Sequence, residues 1–112
     1  AHDLTQHEED EIVRILSTQA DAYPAGTTQD FFDFLASDAD LPEHCRGEAT
    51  DVWSGNSIAN ARRLLRWAAA KQGNPEDPPY TVLGTVLRWL QQRIGPGADY
   101  DFLEDVISRQ RV

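Results

Sequence analysis

The sequence contains a single cysteine, Cys45, among its 112 residues. One thiol excludes an internal disulfide, and it excludes zinc and iron–sulfur sites that need several cysteines. No apolar run approaches the roughly 18 to 20 residues that a membrane-spanning helix requires. The first residues are acidic, whereas a secretory signal peptide begins with basic residues followed by an apolar stretch. These absences predict a cytoplasmic protein of a reducing compartment, with no membrane partner.

Basic residues are also scarce, with 10 Lys and Arg against 19 Asp and Glu and a formal net charge of −9. Because negative charge repels phosphate backbones, a nucleic-acid partner is not expected. Residues 1–56 hold 13 acids and 2 bases, a net charge of −11, whereas residues 57–112 hold 6 acids and 8 bases, a net charge of +2. This asymmetry is either the ordinary solvated charge of a soluble domain, or it marks an acidic face of one copy that meets a basic face of another.

No group of residues has the spacing of a known catalytic or ligand-binding motif. His44 and Cys45 are adjacent, so on a helix their side chains diverge by about 100° and cannot share a metal ion without help from elsewhere. Asp38 and Asp40 lack the glycine and glutamate that complete a calcium loop. The turn at 95–97 has glycines but lacks the lysine of a phosphate-binding loop. We therefore expect no enzymatic activity, no metal, no cofactor and no small-molecule partner.

Apolar residues recur at spacings of three and four along most of the chain, which predicts helices rather than strands. Six helical segments can be drawn from their start and stop signals. The first begins at a capping box over Thr5 to Glu8 and ends at the turn 23–26, and the second is capped by Thr27 or Thr28. A weak third covers 41–46, a fourth runs from Ser54 or Asn56 to Gln72, a fifth covers 81–94, and a sixth is capped by Asp99 or Asp101.

A chain of this length forms one domain. We expect residues 1–112 to be a single helical interaction domain in which residues 1–4 are disordered or foreign to the natural chain. The predicted fold class is all-α, a compact orthogonal or Greek-key-like bundle of five or six short helices. Three prolines make 74–79 a rigid corner within it. The residues predicted to be largely buried are Leu64, Leu65, Trp67, Leu83, Leu87, Leu90, Leu103 and Ile107, and Ile58 is placed on the same apolar face as Leu64 and Leu65.

Two charged surfaces are candidate protein interfaces. Arg62 and Arg66 are one helical turn apart, with Arg63 alongside, so they form a basic ridge on the fourth segment. Opposite charges on two different surfaces would give a head-to-tail contact between like domains, which can propagate. The candidate acidic counterpart lies on the second segment and its following loop, and consists of Asp30, Asp33, Asp38 and Asp40.

Two tryptophans occur in near-identical settings, each preceded by Leu-Arg. Trp67 and Trp89 both lie beside a predicted core stripe. Each is either an edge-of-core side chain whose indole N–H reaches solvent or a carbonyl, or an aromatic residue of a protein interface.

The second half of the chain contains four stretches in order: ARRLLRWA at 61–68, GNP at 73–75, YTVLG at 80–84 and FLEDVI at 102–107. Over about residues 58–107 this arrangement resembles the effector-associated domains of bacterial conflict systems. Those are small helical modules with a death-like fold. The resemblance implies a non-catalytic adaptor in antiviral defence, which pairs homotypically with a like domain and brings effectors together with their sensors.

Three alternatives remain beside that resemblance. A CARD-like or other death-fold relative is the nearest one. A small ligand-binding bundle would be recognised by a large enclosed apolar cavity. An acidic inhibitor that mimics nucleic acid would be recognised by carboxylates spaced like phosphates along a helix face.

Overall fold

The computed structural model describes residues 4–23, 28–41, 53, 55–70 and 82–110. Over these ranges the chain forms five helices and no strand, which confirms the predicted all-α bundle. The largest contacts between helices are those of the first with the third and of the fourth with the fifth. The helices are α1 (Gln6–Asp21), α2 (Thr28–Asp38), α3 (Ser57–Ala70), α4 (Val82–Ile94) and α5 (Ala98–Gln110).

α1 begins at the predicted capping box. The Thr5 hydroxyl accepts a hydrogen bond from the Glu8 N–H at 3.1 Å, and Glu8 Oε1 accepts one from the Thr5 N–H at 2.8 Å. This pair satisfies two of the backbone donors that a helix start leaves open. The other carboxylate oxygen of Glu8 accepts a hydrogen bond from Arg109, near the end of α5. Leu4 packs against the core, and the expectation that the start is disordered or foreign to the natural chain stays a prediction.

The core takes apolar side chains from all five helices. Seven of the eight residues predicted to be buried are buried, and the eighth, Trp67, is half-buried at the core edge. The placement of Ile58 on the buried face of α3 is wrong, because Ile58 is 54% exposed. It lies in the first turn of α3, at the border of the arc that Ala61 and Leu65 bury.

α3 begins beside a buried amide that ties down the preceding chain. Asn56, one of the two predicted starts, caps the helix, since its Oδ1 accepts the Ala59 N–H at 2.8 Å. The Asn60 side chain is buried, and its Nδ2 donates to the carbonyls of Trp53 at 3.1 Å and Gly55 at 2.9 Å. Its Oδ1 accepts the Gly55 N–H at 3.1 Å. Three hydrogen bonds from one side chain therefore fix the approach to α3.

Trp53 anchors the segment before α3 in the core, where it is buried. Its indole stacks on Phe32 of α2 with ring centroids 5.3 Å apart. Gly55 follows closely, and a Cβ there would lie 2.9 Å from the Cβ of Ala59, nearer than carbon atoms approach without a shift. The sequence at 53–60 is thus suited to bringing the chain tightly across the start of α3.

The turn between α4 and α5 contains two glycines with positive φ, Gly95 at 75° and Gly97 at 154°. α5 begins at Ala98, so the expectation that Asp99 or Asp101 caps it is wrong. The Gly97 carbonyl instead accepts the Asp101 N–H at 3.0 Å, which starts the helix earlier. Both aspartates lie in the first turn, where their negative charge interacts favourably with the positive end of the helix dipole.

Three other predictions fall on residues outside the described ranges. They are the short third helix over 41–46, of which only Leu41 is described, the end of the fourth helix near Gln72, and the proline-rich corner at 74–79.

Candidate interaction surface

Metal-ligating side chains are not grouped anywhere in the described part of the chain. In the same part, no helix combines the length and apolar character needed to cross a membrane. His44 and Cys45 lie outside it, so the expectation that they have no catalytic or metal-binding role stays a prediction. The candidate functional sites among the described residues are therefore protein-interaction surfaces on the helices.

α2 and α4 meet through aromatic side chains that surround a guanidinium group. Arg93 Cζ lies 5.5 Å from the ring centroids of Phe31 and Phe34 and 5.6 Å from that of Trp89. Tyr23, just after α1, stacks on Phe34 with centroids 5.8 Å apart. Cation–π contacts at exposed sites contribute about 0.5–1 kcal/mol each. We name Phe31, Phe34, Trp89 and Arg93 the aromatic–arginine cluster.

A carboxylate of α2 fixes the orientation of the indole in this cluster. Trp89 Nε1 donates a hydrogen bond to Asp38 Oδ2 at 2.6 Å. Sequence reasoning named both residues as interface candidates, and the structure joins them. Beside the bond is an open hollow of about 210 Å³, lined by Asp38, Trp89, Gln92 and Arg93.

Arg93 was missed by sequence reasoning, although a signal for it exists. It follows Trp89 by four residues, the spacing that places two side chains on one helix face. Arg93 is exposed, and no carboxylate in the described ranges pairs with it or with Arg88. The aromatic rings therefore hold the Arg93 guanidinium in place, and its N–H donors bond no acceptor among the described residues.

The outer edge of α2 is acidic. Asp30 is exposed and Asp33 is half-buried, and the two are three residues apart on the helix. Burial, and secondarily the charge of Asp30, raise the pKa of Asp33 above its ordinary value. Both effects disfavour the ionised form of the Asp33 carboxyl.

Replacing Asp33 with asparagine is expected to increase the free energy of unfolding at neutral pH. Because the folded-state pKa of Asp33 is raised, stability is lost as the pH rises from the unfolded-state pKa, about 3.9, through the folded-state pKa. The variant lacks this loss, so its advantage should vanish in acid. Urea unfolding at several pH values measures it. Asp105→Asn, which removes an exposed carboxyl from α5, is the control, and an equal gain there would contradict the assignment.

The predicted basic ridge of α3 is engaged within the chain. Arg62 Nη1 lies 3.0 Å from Glu9 Oε2 and 3.2 Å from Asp10 Oδ1, and Arg66 Nε lies 3.0 Å from Glu9 Oε1. These ion pairs join α3 to α1. Arg63 is exposed on the same helix. The prediction that the ridge contacts another copy remains a prediction, and such a contact would have to replace the pairs that Arg62 and Arg66 make with α1.

The other interface candidates divide between the two surfaces. Asp30, Asp33, Asp38 and Trp89 belong to the α2–α4 side, and Trp67 lies on α3 with the arginines, partly buried against the core. Asp40 follows α2, is exposed and has a positive φ of 56°.

Comparison with protein-family models, with curated proteins and with solved structures finds no match.

Proposed function

We propose that this chain is a non-catalytic protein–protein interaction domain, an adaptor that pairs with a like helical domain and recruits or assembles an effector in a bacterial defence system. The observation that carries the proposal is the aromatic–arginine cluster, in which the Arg93 guanidinium lies against buried Phe31 and half-buried Phe34 and Trp89 and pairs with no carboxylate of the described residues. Tryptophan, tyrosine and arginine are the residues most enriched at the energetic centres of protein interfaces. The resemblance to effector-associated domains supports the adaptor role and supplies the defence setting.

The described hollows support a surface function over small-molecule binding. One lies beside Trp89, and another of about 230 Å³ lies at the Ile94 to Tyr100 turn. Both are open to solvent, whereas a ligand site encloses most of the surface of its ligand.

The ion pairs of α1 disfavour the alternative that the chain mimics nucleic acid. Glu9 and Asp10 belong to the acidic half of the chain, yet they bond Arg62 and Arg66 rather than presenting free charge. A row of carboxylates neutralised from within is a poor substitute for a phosphate backbone.

Nuclear magnetic resonance titration tests the proposed function. The isotope-labelled chain is mixed with purified helical domains of similar length from the same genome, and separately with its own unlabelled copy. We expect the largest chemical-shift changes at the indole N–H of Trp89 and at the backbone amides of α2 and α4. If the chain binds none of these proteins, the proposed function is wrong.

Two alanine variants then locate the surface. Arg93→Ala should weaken binding about fivefold or more, because central interface arginines cost over about 1 kcal/mol on truncation. Arg63→Ala removes an exposed arginine from α3 and should leave the affinity unchanged. The reverse result would move the interface to the ridge on α3.

A further inference from the structure

The α2–α4 surface has an ordered distribution of charge. Successive helical residues are rotated by about 100°. On α4, Arg93 faces the rings of α2, and Trp89, Gln92 and Arg88 follow in that order away from α2. On α2, Phe34 faces α4, and Asp30 and Asp33 follow on the side turned away from it.

The surface is therefore negative at one edge, aromatic at its centre and positive at the other edge. The negative edge is Asp33 with Asp30, the centre is Phe34 and Trp89 with Arg93, and the positive edge is Arg88. A two-fold rotation through the centre would bring the negative edge of each copy onto the positive edge of the other. Such a self-complementary patch is the requirement for an isologous dimer.

Asp33 and Arg88, the two outer charges that the pairing would use, form no ion pair with any described residue. Arg14, Arg62, Arg66 and Arg109 each pair with a carboxylate. Arg88 has no such pair among the described residues, although acids outnumber bases 19 to 10 in the sequence. An unpaired cation in so acidic a chain is suited to a carboxylate supplied by another molecule.

We propose that the α2–α4 surface pairs with the same surface of a second copy about a two-fold axis, with Asp33 of each copy against Arg88 of the other. The proposal rests on the proposed function and names the partner and the symmetry of the contact. It differs from the head-to-tail contact predicted from the ridge on α3, because an isologous contact closes after two chains.

The net charge of −9 on each copy opposes association over longer distances. Exposed ion pairs contribute little individually, so the central rings supply the affinity and the charged edges fix the register. The dimer is accordingly weak and reversible, and local concentration controls it.

A charge-swap experiment tests the pairing. In Asp33→Arg dimers two arginines face each other at each edge, and in Arg88→Asp dimers two aspartates do, so each variant alone should dimerise about tenfold more weakly or worse. In their equimolar mixture, the heterodimer regains opposite charges at both edges. Sedimentation equilibrium should then show a dimer near the parent affinity.

Asp105→Arg is the matched control, because it changes the net charge as Asp33→Arg does but lies exposed on α5. It should dimerise like the parent, and circular dichroism should show that all variants keep their helices. Failure of the mixture to recover, or assembly beyond two chains, would overturn the two-fold pairing. A parent chain that stays monomeric while binding another like domain would overturn it too, leaving the proposed function intact.

Discussion

Replacing Leu87 with alanine should lower the free energy of unfolding by about 2–5 kcal/mol. Leu87 is fully buried on α4, and the smaller side chain leaves a cavity in addition to the lost transfer free energy. This is a large part of the roughly 5–15 kcal/mol that stabilises a domain of ordinary size. Urea unfolding followed by circular dichroism measures the change.

Ile58→Ala is the matched control, since it also shortens an aliphatic side chain within a helix. Ile58 is 54% exposed, so the expected change is within about 0.5 kcal/mol. Comparable losses at the two positions would contradict the assignment of Leu87 to the core and Ile58 to the surface.

Asn60→Asp should lower the free energy of unfolding by about 3 kcal/mol or more at neutral pH. The amide donates to the Trp53 and Gly55 carbonyls, and a carboxylate would place negative charge against the same two oxygen atoms. Burial and those carbonyls would raise the folded-state pKa of the introduced acid. Stability should therefore fall as the pH rises through that pKa and recover on acidification.

Asn56→Asp provides the comparison for the same chemical change. Asn56 is exposed and caps α3, and aspartate caps helices about as well as asparagine. Its free energy of unfolding should stay close to that of the parent chain at neutral pH. If both variants unfold at the same urea concentration, the Asn60 hydrogen bonds do not hold the chain before α3.

Helix starts with local signals were predictable from the sequence. Thr5 and Glu8 are three residues apart, and Asn56 contacts the N–H of Ala59 within the same turn. The start of α5 was not predicted correctly. Asp99 and Asp101 are both suitable capping residues by type, but the backbone path of the turn lets the Gly97 carbonyl accept the first helical hydrogen bond. Ile58 was misplaced because periodicity gives its helix face but not how far the neighbouring helices extend.

The candidate surfaces were predictable only in part. Asp38 and Trp89 could be named as interface candidates from residue type and position, but their hydrogen bond spans 51 positions. The pair between Arg62 and Glu9 spans 53. No local pattern specifies which of 19 acids an arginine will meet, so the sequence does not reveal that two arginines of the ridge on α3 pair with α1. The structure adds Arg93 to the interface candidates, because the aromatic rings around it come from both α2 and α4.

The contact between Glu8 and Arg109 brings the first turn of α1 beside the last turn of α5. Any polypeptide attached before α1 and any attached after α5 would thus leave the bundle from neighbouring points. Domains attached at the two ends would therefore be tethered at neighbouring points, and the lengths of their linkers would set the effective concentration of one near the other. Pairing of two such bundles would then bring up to four attached domains within reach of one another.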